Sequence, residues 1–287
     1  MFQPVYVCQF DTSDHDIWDA LSTNYNAAHI LSNYFRDKIH WVNYCRNKSD
    51  YAVYDLIQNL DNLADVWMLS KNESMIPYLE ANSYLICYSY LSGNRNGMHL
   101  VKQKLQNIRW DYLSRNENDE AIQLLRKNAK NVNWRFLSAN ANPHAVEWLL
   151  ENPDKINWDF LNANTNKKAI SLLEQNKDKI NMCFLSSNKN AIHLIEEYFD
   201  VVEWPELCNN ENAISIIEAN LDKELDPEWF AGNPNAIHLL FTLNTEAMKT
   251  SMRDFREELC KYVFEPARLQ RYAEQRNMEL VEYIELL

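Results

Sequence analysis

The chain has 287 residues, 46% of them hydrophobic and 12% aromatic, and a formal net charge of −13. That much apolar material excludes a disordered chain, and the acidic balance opposes binding to nucleic-acid phosphates or an anionic membrane surface. No apolar run approaches the length of a membrane span, so none is expected. Met1-Phe2-Gln3-Pro4 lacks the basic-then-apolar pattern of a secretory leader. Three glycines stand against 36 asparagines, several times average usage.

Residues 1–16 fit no repeat and are read as an N-terminal cap. From 17 to 244 a polar anchor recurs three residues before a small residue, with an apolar residue straight after. The copies are Asn24/Ala27/Ala28, Ser49/Ala52/Val53, Asn72/Met75/Ile76, Asn94/Gly97/Met98, Asn118/Ala121/Ile122, Asn142/Ala145/Val146, Asn166/Ala169/Ile170, Asn188/Ala191/Ile192, Asn210/Ala213/Ile214 and Asn233/Ala236/Ile237. Successive anchors lie 22 to 25 residues apart. A fixed period of this size is the signature of a tandem repeat.

Residues 156–180 show what one copy dictates. Asn157 can cap a first short helix by accepting from the free N–H groups of its opening turn. Ile156 before the cap and Leu161 after it have the spacing of a hydrophobic staple. Asn166 opens a second helix, in which Ala169, Ile170, Leu172 and Leu173 share one face at helical period, so a strand is excluded. Pro143 and Pro234 directly follow the cap in their copies, where proline is favoured. Asn152-Pro153 ends a second helix, with Asn suited to a left-handed conformation. Trp18, Trp41, Trp110, Trp134, Trp158 and Trp204 open first helices and are read as wedges between neighbouring copies. Ser22, Ser70, Ser92, Ser114, Ser138 and Ser186 follow the staple residue, which points to a side-chain bond to backbone at the helix end.

Helices this short are not stable alone. Each pair must bury its apolar face against the pairs before and after it. The expected fold is therefore all-α, an α/α solenoid of about ten short helix pairs with N- and C-terminal caps and no strand in the array. At a helix spacing of 8–10 Å it makes a curved rod on the order of 80–100 Å long. Residues 245–287 form the C-terminal helical cap. There Glu246 to Val263 reads as a longer amphipathic helix, Pro266 starts a short one, and Glu279 to Leu287 forms a last turn or two.

The search for chemistry finds little. Six scattered cysteines form no CxxC unit and read as buried thiols of a reducing compartment. Three glycines so placed build no phosphate loop, and no GxSxG elbow surrounds any serine. No catalytic, cofactor-binding or metal-ligating residue is assigned. The residue two after the small one is expected to be exposed in every second helix. His29, Tyr54, His99, Glu147, His193 and His238 occupy that slot and are expected to form one continuous line, the candidate interaction surface.

The units Asn140-Ala141-Asn142-Pro143-His144-Ala145-Val146, Glu151-Asn152-Pro153-Asp154-Lys155-Ile156-Asn157-Trp158 and Asn233-Pro234-Asn235-Ala236-Ile237-His238-Leu239-Leu240 resemble a short Asn-rich repeat found in proteins of giant DNA viruses of protists and algae. The resemblance covers residues 17 to about 275, and copies within 41–109 match it poorly. It implies a viral origin and a helical array, and it assigns no activity. The expected role is a non-enzymatic protein-interaction scaffold or adaptor in the host cytoplasm. Its partner would be a protein, with no nucleic acid, membrane, small-molecule substrate or cofactor. A minor capsid or internal scaffold component of the virion is the alternative, and an enzyme with a site assembled across repeats the more remote one.

Overall fold

The computed structural model describes residues 5–222, 225–246, 248, 264–276 and 278–281. The chain divides into two compact units, Phe10–Leu240 and a second made of Met1–Gln9 with Phe241–Leu287.

The unit Phe10–Leu240 is a helical repeat. Its first helices are His15–Thr23, Trp41–Tyr44, Val66–Lys71, Tyr88–Leu91, Trp110–Ser114, Trp134–Ser138, Trp158–Asn162, Met182–Leu185, Trp204–Cys208 and Pro227–Ala231, the third of them a 3-10 helix. Each is followed by a second helix, at most nine residues long, as in Asp119–Lys127, Pro143–Glu151 and Lys167–Gln175. The caps act as the sequence suggests: Asn157 accepts from the Phe160 N–H at 3.0 Å and Asn166 from that of Lys168 at 2.9 Å. The residues at the last apolar position, such as Leu125, Leu149 and Leu173, are buried.

Two local expectations change. Asn152 sits at φ −134°, ψ 61° rather than in the left-handed region. Its amide donates 2.9 Å to the carbonyl of Trp148, so a free carbonyl of the helix end is satisfied without a left-handed residue. The tryptophans are also less uniform than wedges should be. Trp18 is buried, Trp41, Trp110, Trp134, Trp158 and Trp204 are half-buried, and Trp67 is exposed.

The larger correction is that these repeats do not form an open rod. They close on themselves. Asn24, in the first repeat, donates from Nδ2 at 2.9 Å to the carbonyls of both Ala231 and Asn233, in the last. Asn26 donates 2.8 Å to the Pro234 carbonyl, and helix His15–Thr23 packs on Pro227–Ala231. Closure removes the need for polar-faced caps on this unit, since each end covers the other.

One residue type makes every junction of the ring. Asn24, Asn47, Asn72, Asn94, Asn116, Asn140, Asn164, Asn188, Asn210 and Asn233 are all buried. In each, Oδ1 accepts from the backbone N–H two residues on, at 2.9–3.1 Å. Each Nδ2 donates across the junction, nine of the ten to two carbonyls of the preceding repeat and Asn210 to that of Ser186, at 2.8–3.1 Å. Asparagine suits the place because its amide carries both a carbonyl acceptor and two donors on a short stem. Eight asparagines, each two residues beyond a ring asparagine, form a parallel rank, for example Asn166 to the Ala141 carbonyl at 2.9 Å and Asn190 to that of Thr165 at 2.8 Å. The excess of asparagine in the composition is largely this construction.

Serine adds a second link. Ser138 Oγ donates 2.8 Å to the Trp134 carbonyl and accepts at 2.9 Å from the Asn157 N–H of the next repeat. Only the first half of that bond follows from the sequence. Asn162 takes the serine's place at one junction and makes both bonds, to the Trp158 carbonyl and from the Asn181 N–H, whereas Cys45, Cys208 and Ala231 replace it at three others. The second repeat departs further: Tyr44 fills the leucine slot, and its hydroxyl lies 3.3 Å from the buried carboxylate of Asp55, which also holds Arg36 at 3.0 Å.

In the second unit, strand β1 (Tyr6–Cys8) pairs antiparallel with β2 (Phe241–Leu243), Val7 opposite Thr242. This strand falls inside 17–244, where only helix and turn were expected. A helix spans Pro266–Gln275, opening at proline as expected, and buries Leu269 and Ala273 against Met278 and Leu280. The expected helix from Glu246 to Val263 and the last turn after Glu279 lie mostly outside the described residues.

Candidate functional site

The six residues of the proposed line sit on second helices. Tyr54, His99, His193 and His238 are exposed, and His29 and Glu147 are partly so. Three of the histidines reach back to a glutamate on the preceding repeat: His99 to Glu80 at 2.5 Å, His193 to Glu174 at 2.9 Å and His238 to Glu218 at 2.6 Å. Glu147 instead takes the Lys168 ammonium at 3.0 Å, whose hydrogen bond holds this carboxyl below the usual carboxylate range. Arg126 with Glu151 and Lys102 with Glu120 continue the pattern from repeat to repeat. Among the described residues no hydrogen bond or ion pair joins any two of the six. These pairs are exposed and screened by solvent, so each adds little to stability.

Which side of the ring these helices occupy follows from the clefts. One cleft is lined by Leu150, Lys167, Lys168, Ser171, Leu172 and Gln175, and another by Glu196, Phe199, Ser215, Ile216, Ala219 and Asn220. Each is lined by just two neighbouring repeats, on the second-helix side. A cavity of about 270 Å³ on the first-helix side is lined by Arg115, Phe136, Ala139, Asn140, Phe160, Ala163 and Phe184. Four successive repeats contribute to it. Neighbouring first helices such as Trp134–Ser138, Trp158–Asn162 and Met182–Leu185 also pack more closely on one another than the second helices Asp119–Lys127 and Pro143–Glu151 do, so the first helices line the inside of the ring.

The inner face carries one arc of distinct chemistry. Tyr90, Tyr112, Phe136, Phe160 and Phe184 precede the staple leucine in five consecutive repeats, and all are half-buried. Ring centroids lie 6.1 Å apart for Tyr90 and Tyr112, 5.8 Å for Phe136 and Phe160, and 5.4 Å for Phe160 and Phe184. Four cations lie over these rings. Arg115 Cζ is 3.7 Å from the Phe136 centroid and Arg135 Cζ 4.3 Å from that of Phe160. Lys71 Nζ is 4.4 Å from that of Tyr90, and Arg109 Cζ 4.6 Å from that of Tyr112. A cation over a ring face is attracted by the ring quadrupole, which orders the flexible side chain. In the other five repeats the same slot holds Ala20, Asn43, Met68, Glu206 and Trp229, so the aromatic run is confined to one arc.

This arc is not among the candidate surfaces drawn from the sequence. Its signal was present, an aromatic residue at a period of 22 to 24 from Tyr90 to Phe184. Without the fold nothing showed that this slot faced inward. Among the described residues no group of three or more His, Cys, Asp or Glu is arranged to hold a metal ion, and no helix is long and apolar enough to cross a membrane. Comparison with family models, with curated proteins and with solved structures finds no match.

Proposed function

We propose that this protein is a non-enzymatic interaction scaffold that holds a protein partner against the inner face of a closed helical ring. The observation that carries this reading is the aromatic and cationic arc, in which large apolar groups line up over five consecutive repeats without being packed away. Aromatic and arginine side chains are the groups that dominate protein interfaces. The repeat supplies the rest, because a hydrogen-bonded backbone holds the arc in register at no cost to the surface residues.

Closure favours the adaptor over the spacer. A rod that separates two bodies must present free ends, and this unit turns its ends on each other. The likeness of its repeats to those of giant DNA viruses supports a viral protein acting in host cytoplasm, and abundance in purified particles would instead mark a virion component. The direct test is partner capture from infected cells with three proteins: the natural chain, Phe160→Asp on the inner face, and Glu147→Lys on the outer. Loss of the captured partner with Phe160→Asp alone is the expected result. Loss with Glu147→Lys alone would move the site to the outer line, and loss with neither would end the reading.

A further inference from the structure

We propose that the segment held by the inner arc is an acidic peptide carrying apolar side chains, supplied by a partner protein. This rests on the inner face being the site. Charge complementarity selects this occupant. The chain is strongly acidic overall, with a formal net charge of −13, and on the outer side and edges many of its cations are matched to carboxylates, such as Arg95 with Glu117, Arg126 with Glu151, Lys168 with Glu147 and Lys189 with Glu211. On the arc the pattern is different. Lys71, Arg109, Arg115 and Arg135 form no ion pair among the described residues. Their charged ends are exposed and oriented over aromatic faces.

Asp111 and Asp159 form no ion pair with them among the described residues; each keeps its charge and accepts from a cap of the next repeat, Asp111 from Asn133 at 2.7 Å and Asp159 from Asn181 at 2.8 Å. A guanidinium stacked on a ring keeps its edge N–H groups free, and those are the groups that take a carboxylate in a forked pair. Between the cations the floor is hydrocarbon, with the cavity between Phe136, Phe160 and Phe184 open to a side chain. An occupant that satisfies both must carry carboxylates on one side and apolar groups on the other. Single-stranded nucleic acid would satisfy the rings by stacking, but the rest of the protein repels a polyanion, whereas a short acidic segment brings its few charges only where cations wait.

The test is a fluorescence-anisotropy titration of the full chain with a labelled twelve-residue peptide alternating glutamate with leucine and phenylalanine. A peptide with lysine in place of glutamate and a labelled single-stranded oligonucleotide of matching length serve as comparisons. Saturable binding of the glutamate peptide is expected, weakening as salt is raised. It should fall at least tenfold in the double variant Arg115→Glu with Arg135→Glu, at unchanged helical circular dichroism. Arg126→Glu, on the outer face, should leave it unchanged. The proposal is overturned if the glutamate peptide does not bind, if it binds the double variant as well as the natural chain, or if the oligonucleotide or the lysine peptide binds more tightly. Should the peptide fail while Phe160→Asp still abolishes capture of the cellular partner, the inner face remains the site and only the chemistry of the partner is wrong.

Discussion

The junction between the sixth and seventh repeats and the junction between the tenth and the first are built from the same atoms. Asn164 donates to the carbonyls of Ser138 and Asn140, 26 and 24 residues away. Asn24 donates to those of Ala231 and Asn233, 207 and 209 residues away. The first pair is joined through the chain within one repeat length, and the second only through the whole ring. The difference teaches that closure needs no special device. The last repeat offers the first the same face that every repeat offers the next. What the closing junction lacks is the serine link, because Ala231 stands in that slot, and Cys45 and Cys208 weaken two other junctions in the same way.

Substitutions at the two junctions tell them apart. The largest effect is expected at the interior junction. Asn164→Ala removes two donors and an acceptor and leaves buried carbonyls unpaired, at about 1–3 kcal/mol for each stranded group. A loss of about 3 kcal/mol or more in urea denaturation is the expected result, and a loss under about 1 kcal/mol would mean that water replaces the amide freely. Asn24→Ala removes the equivalent bonds but can be relieved by opening the ring. A smaller loss of about 1–2 kcal/mol is expected, with raised amide exchange confined to the first and last repeats. Exchange raised evenly around the ring would show instead that the unit opens only as a whole.

The weakened junctions add a pH test. Burial pushes the Cys45 thiol up to about 12 and the Cys208 thiol up to about 11. An unfolded thiol ionises near 8.5, so above that pH the unfolded state loses protons that the folded state keeps. Stability supplied by the two thiols is thus complete below about pH 8 and falls as pH rises toward 11–12. Cys45→Ser should lessen the decline between pH 8 and 10 by about 1 kcal/mol or more, and an unaltered slope would count against a buried neutral thiol. Asn166→Ala, which loses a cap and one link of the second rank, should cost about 1 kcal/mol. The smallest effect belongs to His193→Ala, whose pair with Glu174 is exposed, and its denaturation midpoint should match the natural chain within replicate scatter.

The local elements follow from the amino-acid sequence alone. The period, the caps at Asn157 and Asn166, the buried leucines and the helix opening at Pro266 are all consequences of short-range rules, in which a residue's partners lie within a few positions. The sequence also shows an asparagine excess that short-range rules explain only in part. In the copies with Asn47, Asn116, Asn140 and Asn164 the ring asparagine lies two residues before the cap, and a frame drawn on caps passes over it. The partners of that amide lie a full repeat away and have no local signature.

The tertiary structure alone decided three things: that the array closes rather than extends, that Phe241–Leu243 turns from helix to strand by pairing with Tyr6–Cys8, and that the slot of Tyr90 through Phe184 faces the inside. Closure and the inward-facing slot depend on how a small rotation per repeat accumulates around the array, and the strand on a partner more than 230 residues away in sequence. Within one repeat the rotation is set by packing between neighbours, and its sum over ten repeats has no counterpart in the spacing of residues along the chain.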